Sequence, residues 1–495
     1  MKRNFVTNLA FLLFLNLLIK PFYVLGIDVS IQNAVTASVY GIYFPLLSLS
    51  LMFQVILDMG IESFTRREIA QNHHLLSRYL SNIIVLKLFL ALIYFIVCLI
   101  IGILSNYNPY QIKLLFILLI NQFLASFILY MRANLGGLHL FKTESVISVL
   151  DKTLLIIICG LLLWGNITDV PFKIEWFIFA QTFSYSVTLI ISLIILTGKE
   201  KVSFSRFNVK IYFSIIKKSL PFALLVLLMS SYYRIDSILL ERMAENGDVQ
   251  AGIYAHSFRL LDMLQNYGYL LPFCSFPCLQ KCLKNKESVE QLVHISSVII
   301  VIPALILSVG AVFYKMDIID FLYDEHLEKS STVFGIIMPG FLGICISYIF
   351  GTLLTANGNL KSLITISAIG ATISIFINLV LIPKIGVTGS AIANISAQAF
   401  TALVQIIVAI RIFKFRFNVK LVVKLLIYSL LLIITAYITH KFKLNWLLNF
   451  SIYALISFFL IFMVRLIKIY QLKEIIGKRK MNYKQHLSKS FLIDF

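Results

Sequence analysis

"SLPFALLVLLMSSYYRIDSILLERM", Ser219 to Met243, is an apolar run of membrane-spanning length that nevertheless carries Arg234 and Asp236. About 20 apolar residues cross a ~30 Å hydrocarbon core. At roughly 1.5 Å per residue from Ser219, Arg234 lies about 22 Å into the bilayer. A charge at that depth costs about 2.5 to 3.5 kcal/mol even on the lenient insertion scale, so it must face protein or a water-filled cavity. Arg234 and Asp236 are two residues apart, hence on nearly opposite faces of a helix, and cannot satisfy each other. The next apolar stretch offers partners: Asp262 for Arg234, and Arg259 for Asp236. Lys20, counted from Phe5, reaches a similar depth of about 22 Å. Such charges are either ion pairs that join the seventh helix to the eighth or the lining of an internal cavity.

The rest of the chain agrees with a membrane reading. Of 495 residues, 59% are hydrophobic and only 13% charged, far from the balance of a soluble domain. Apolar segments recur near 5–27, 39–60, 82–104, 111–131, 146–164, 173–196, 220–241, 251–273, 292–313, 332–356, 362–382, 387–410, 421–439 and 446–467. The expected fold is therefore an all-α integral membrane protein of about 14 transmembrane helices. The net charge of +20 would suit nucleic acid if it formed a soluble basic face. Instead, with a cytosolic N-terminus, 31 Lys and Arg fall on the inner side and 8 on the outer. That is the positive-inside pattern, with both termini cytosolic. Lys2 and Arg3 precede the first apolar stretch, but it has no small-residue cleavage site and outruns a signal-peptide core, so it counts as helix one.

The basic segment 199–219, "KEKVSFSRFNVKIYFSIIKKS", divides the first twelve helices six and six. An offset of 211 aligns "NLAFLLFLNL" (8–17) with "SLPFALLVLL" (219–228), and in the same register "YGIY" (40–43) with "AGIY" (251–254). Two matches in one register indicate two pseudo-symmetric six-helix lobes, the symmetry transporters use around a central cavity. The expected division is an N-lobe over 1–198, a linker over 199–219, a C-lobe over 220–410, two further helices over 411–468 and a basic tail over 469–495. Lys20-Pro21 places a helix breaker beside a cation, as in cavity-lining interrupted helices. Arg66, Arg67, Arg132 and Lys87 read as residues at cytosolic helix ends that snorkel. Asn121, Gln122, Gln181, Asn378, Asn394 and Gln398 read as interhelical hydrogen bonds. The external segment 314–331 carries Asp317, Asp320, Asp324, Glu325 and Glu328 without the spacing of a calcium loop, and reads as a solvated cap. Cys274, Cys278 and Cys282 share a helix face but lack further ligands for a metal, and the six cysteines read as small buried hydrophobes. No catalytic dyad, metal set or phosphate-cradling loop stands out.

Four stretches together, "YGIYFPLLSLSLMFQVILDMGIESFTRREIA", "SLPFALLVLLMSSYYRIDSILLERM", "AGIYAHSFRLLDMLQNYGYLLPFCSFPCLQK" and "LVLIPKIGVTGSAIANISAQ", resemble the polysaccharide transport branch of the multidrug/oligosaccharidyl-lipid/polysaccharide (MOP) exporter superfamily. The resemblance implies a Wzx-type flippase of the bacterial inner membrane, not an enzyme and without a cofactor. Its cargo would be undecaprenyl-diphosphate-linked oligosaccharide for surface polysaccharides such as O-antigen, with membrane lipids and other assembly proteins as partners. The membrane potential or a proton or sodium gradient would drive it. Carried over by position, Lys20, Arg234 and Arg259 would line a cationic cavity with Asp236 and Asp262, while Tyr232, Tyr233, Tyr254 and His256 would meet sugars. Alternatives are a peptidoglycan-precursor flippase, a drug/cation antiporter of the same superfamily, or a membrane polymerase or ligase, for which the short external loops leave little room.

The charge bias sets an expected topology. Cysteine-accessibility labelling should reach Ser105 to Tyr110 and Asp317 to Ser331 from outside, and the tail beyond Lys473 only from inside. A tail labelled from outside overturns it.

Overall fold

The computed structural model describes residues 14–62, 65, 66, 69, 76–165, 167, 169–198, 209–268, 279, 280, 282–285, 288–415 and 419–466. The described residues form helices and no strands. After a π-helical turn at Tyr23–Asp28 come α1 (Val29–Met52), α2 (Val55–Asp58), α3 (Leu76–Leu104), α4 (Pro109–Gly137), α5 (Phe141–Trp164), α6 (Ile174–Thr197), α7 (Val209–Met243) and α8 (Gly247–Gly268). They are followed by α9 (Glu290–Phe313), α10 (Lys315–Leu322), α11 (Leu327–Ile337), α12 (Gly340–Ala356), α13 (Leu360–Ile385), α14 (Val387–Phe413), α15 (Val419–His440) and α16 (Trp446–Met463).

Among the described residues, 12 segments are long and apolar enough to cross a membrane. One of them, Phe14–Asp58, has 45 residues, roughly 68 Å of helix and twice a bilayer core. It is broken at Thr36, whose backbone leaves the helical region at φ 68° and ψ 156°. α8 is not among the 12, because His256, Arg259 and Asp262 lower its hydropathy. Splitting the long segment and adding α8 accounts for the fourteen helices read from the sequence. The interruption expected at Lys20-Pro21 lies elsewhere: the helix runs through both residues, widens into the π turn and breaks only at Thr36. A proline lacks one backbone donor, and π turns accommodate such local defects within a continuous helix. α7 begins at Val209, within the basic stretch 199–219, while the tail beyond residue 466 lies outside the described residues.

By packing, the chain forms two units. The first contains residues 1–264, 319–337 and 359–401, and every charged site described below belongs to it. One of its apolar clusters joins Leu86, Leu90, Phe127, Met131 and Ile147. The second unit contains residues 265–318, 338–358 and 402–495. There three buried tyrosines tie helices together: Tyr453 donates to Ile306 O at 2.9 Å, Tyr428 to Ser457 O at 3.0 Å and Tyr314 to Thr439 Oγ1 at 2.9 Å.

The repeated GIY motif has a packing reason. A Cβ on Gly41 would strike the carbonyl oxygen of Asp248, and one on Gly252 would strike that of Ala37. Residues 37 and 248 correspond at the same offset as 41 and 252, so the two motifs meet by exchange, each glycine admitting the other helix's backbone. The "IPKIGVTG" turn has a similar cause. Gly386 adopts φ +56°, and a Cβ there would collide with Gln250. Gln250 accepts from Val387 N at 2.7 Å and donates to Glu245 O at 2.7 Å, capping α14 from the start of α8. Gly41→Val and Gly252→Val should each lower thermal stability in detergent by roughly 1–3 kcal/mol through overpacking. The double variant should cost clearly less than the sum, because both open one crossing.

Candidate functional site

Arg234 of α7 and Arg259 and Asp262 of α8 lie in a half-buried string that ends at the fully buried Asp28. Arg234 Nη2 donates to both Asp262 oxygens, at 3.2 and 3.3 Å. Arg259 reaches Asp262 at 4.0 Å and holds Asp28 through Nε at 2.7 Å and Nη2 at 3.0 Å. Asp28, wholly buried, also accepts from Tyr40 Oη at 3.0 Å and Gln32 Nε2 at 3.2 Å. The string alternates Arg234, Asp262, Arg259, Asp28, two cations and two carboxylates. The pairing of Arg234 with Asp262 is as expected; that of Arg259 with Asp236 is not. Asp28, at the π turn, takes Arg259 instead. Among the described residues, Arg234 Nη1 is a buried donor with no hydrogen-bond partner.

Asp236 is satisfied by neutral donors. Its carboxylate, fully buried, accepts from Tyr254 Oη at 3.1 Å, Ser374 Oγ at 2.9 Å, Asn378 Nδ2 at 2.6 Å and Asn394 Nδ2 at 2.7 Å. These groups come from α8, α13 and α14, so one anion fastens four helices. Asn378 Oδ1 and Asn394 Oδ1 are buried without a partner among the described residues. The polar residues read as interhelical bonds do this work here. In the other half, Asn121 Nδ2 donates to Ile178 O at 3.1 Å and Asn121 Oδ1 accepts from Thr182 Oγ1 at 2.7 Å.

The aromatic candidates are held by protein. Tyr232 and Tyr233 are buried, and Arg234 lies 5.4 Å from the Tyr233 ring and 5.9 Å from that of Phe258. Tyr254 serves Asp236, and His256 Nδ1 lies 2.9 Å from Ser330 Oγ while its ring stacks on Tyr323 at 4.1 Å. Lys20 is half-buried, within electrostatic reach of Arg132, Lys152 and Asp151. Lys152, counted from the sequence as a cytosolic topology charge, sits midway along α5. Its Nζ donates to Tyr185 Oη at 3.0 Å, pairs with Asp151 at 3.2 Å and stands 5.1 and 4.9 Å from the Tyr23 and Tyr185 rings.

Lys87 does not snorkel. It is 1% exposed, and its Nζ donates to Ser126 Oγ at 2.7 Å and Leu57 O at 3.0 Å. Leu57 belongs to the short α2, which ends at Met59 with φ 44°, so Lys87 satisfies a terminal carbonyl and complements the helix dipole. Arg66 pairs with Glu144 at 2.9 Å, Arg132 Nε is a buried donor without a partner among the described residues, and Arg67 lies outside those residues. Cys98, Cys159 and Cys345 are buried thiols; Cys274 and Cys278 fall outside the described residues. Among the described residues no three or more His, Cys, Asp or Glu gather as a metal site. Asp28 and Lys152 could have been suspected from sequence. Asp28 lies just past an apolar stretch, and Lys152 is seven residues into one.

The all-α bundle is a fold shared with known structures. A structure titled lipid II flippase MurJ, inward closed conformation, matches with a TM-score of 0.69 at 14% identity, covering 95% of this chain and 99% of that one. An inward-facing multidrug resistance MATE family transporter matches at TM-score 0.58 and 15% identity, over 80% of this chain and 94% of that one. A MOP superfamily transporter from Pyrococcus furiosus, described as having a binding pocket of reverse polarity, matches at 0.57 and 14%, over 83% and 95%. No curated protein matches in sequence. The family described as "Polysaccharide biosynthesis protein" matches residues 5–283, and the chain belongs to that family.

Lys87→Met should destabilise the protein by about 1–3 kcal/mol, because two buried bonds are lost and Leu57 O keeps only the long 3.4 Å bond from Ser126 Oγ. Lys87→Arg should recover little of it, because a planar guanidinium does not replace a compact ammonium between two oxygens. Thermal unfolding in detergent reads both, and a wild-type midpoint for Lys87→Met would show that Ser126 alone satisfies Leu57 O.

Proposed function

We propose that this chain is a Wzx-type flippase, which carries undecaprenyl-diphosphate-linked oligosaccharide from the inner to the outer leaflet of the bacterial cytoplasmic membrane by alternating access. Both termini are cytosolic, and two six-helix lobes flank the path. The observation that carries the reading is the half-buried string of Arg234, Asp262, Arg259 and Asp28, with one Arg234 donor unpartnered among the described residues. Its internal neutrality makes an anion compete with carboxylates for guanidinium groups. A diphosphate can do so, since paired N–H groups match its oxygens in a bidentate manner. Lys20, Lys152 and Arg132, facing Asp151, add positive charge along the same path.

The cargo's two negative charges fit outward transport. Moving each through ~100 mV, inside negative, is worth roughly 2.3 kcal/mol, or about 4–5 kcal/mol in all. Asp236 is the residue through which a proton or sodium ion would couple, because it is a buried carboxylate with no cation of its own and with two amide oxygens free beside it. Its place among four helices lets occupancy change their packing. Peptidoglycan-precursor transport remains the second reading, favoured by the likeness to a lipid II flippase.

Complementation of a flippase-null strain, scored by which surface glycan returns, separates the two. In proteoliposomes with imposed potential and pH or sodium gradients, Arg234→Ala should lower cargo affinity at least tenfold, with Arg234→Lys intermediate. Asp236→Asn should abolish the ion or pH dependence. If Asp236→Asn leaves that dependence unchanged, the carboxylate is a tether between helices and coupling lies elsewhere.

A further inference from the structure

The acidic segment between α10 and α11, read from sequence as a solvated cap, is tied to two helices with unequal strength. On α8 its hold is buried. Tyr323, 1% exposed, stacks on His256 and donates to His256 O at 3.0 Å, while Ser257 Oγ donates to Ser330 O at 3.1 Å and Ser330 Oγ meets His256 Nδ1. Burial holds the Tyr323 phenol well above its ordinary range, so it stays a donor. On α1 the hold is only part-buried, apart from the approach of Tyr323 to Gln32. Glu325, exposed, accepts from Ala37 N at 3.0 Å, and Leu322 O accepts from Asn33 Nδ2 at 3.0 Å.

Ala37 is the first residue after the break at Thr36, so its N–H begins a helix and has no carbonyl one turn back to meet. No acidic residue of the local sequence caps it; Glu325 does so from 288 positions away, with a negative charge placed where the helix dipole favours it. Ser38, the next residue, bonds Asp248 at the start of α8. The corner of the first helical pair is thus fastened to α8 both directly and through this segment.

We propose that residues 322–330 form an outer strap that travels with α8 and closes the exit by capping the broken helix at Ala37, with Glu325 as a positioning residue whose release from Ala37 accompanies opening. The inference rests on the topology proposed above, which puts the strap outside the cell. Part-buried bonds on one side, one of them to the exposed Glu325, and buried ones on the other set where the joint parts: at Ala37 and Asn33, not at His256.

The test uses full-length protein with its six native cysteines replaced. Ala37→Cys with Glu325→Cys, treated in intact cells with a membrane-impermeant bifunctional thiol reagent, should crosslink and stop cargo flipping, with full recovery when a reducible linker is cleaved. Transport at the uncrosslinked rate, or no crosslink at all, would overturn the strap. In a Gln32→Cys background, Glu325→Ala should raise impermeant-maleimide labelling of residue 32 from outside severalfold, whereas Glu325→Gln, which keeps an acceptor oxygen, should stay near the parent rate. Unchanged labelling in Glu325→Ala sinks the capping role. If a single cysteine at 325 labels only in inverted vesicles, the topology is wrong and the outer gate falls with it; if it labels from outside but flipping survives the crosslink, the strap alone is refuted.

Discussion

An ionised side chain in hydrocarbon has no water to turn to, and the first unit of this protein is arranged around that constraint. Arg259 shows it best. It is seated between Asp262 on its own helix and Asp28 beside the π turn, and Asp28 in turn collects Tyr40 and Gln32. Helices that contribute one charge each cannot move independently without exposing it. Breaking such a pair from one side costs more than the pair itself contributes. The charges therefore fix which helices are neighbours, and the apolar surfaces fill in around them.

The two anions of α7 and α8 solve the problem differently. Asp262 is neutralised by arginines, so its environment is electrically balanced and open to exchange with another anion. Asp236 is surrounded by dipoles from Tyr254, Ser374, Asn378 and Asn394, which stabilise a negative charge without cancelling it. In the function proposed above, the first arrangement would trade partners with a large polar cargo and the second would hold a small cation. Two residues apart from Arg234 in sequence, Asp236 points into a separate environment, and this spacing lets a single helix serve both.

Much of the fold was legible because hydrophobic length and charge bias are local properties of sequence. The repeated GIY motif was legible too, and the contact of Gly41 with Gly252 explains why those letters recur. Partner choice was harder to read. Arg259 could be assigned to Asp236 by proximity in sequence, but Asp28 lies 231 positions away and its approach depends on a π turn that no periodicity announces. Lys87 and Lys152 were misread for a related reason. A lysine near a span's end looks like a topology signal unless a neighbouring helix presents a bare carbonyl or a pair of tyrosines. Such acceptors come from other helices, and their register is a tertiary fact.

The polarity of α8 bears on how the chain is made. With His256, Arg259 and Asp262 in one segment, α8 is a poor substrate for insertion alone, since each central charge costs about 2.5 to 3.5 kcal/mol. The ionic partners of Arg259 and Asp262 outside α8 precede it in the chain: Asp28 is synthesised first and Arg234 only 28 residues before Asp262. The ribosome therefore delivers α8 last, into a membrane where its counter-charges already wait. α7 and α8 then enter as a hairpin neutralised across its two arms, and a truncation that removed the first helix would compromise the insertion of the eighth.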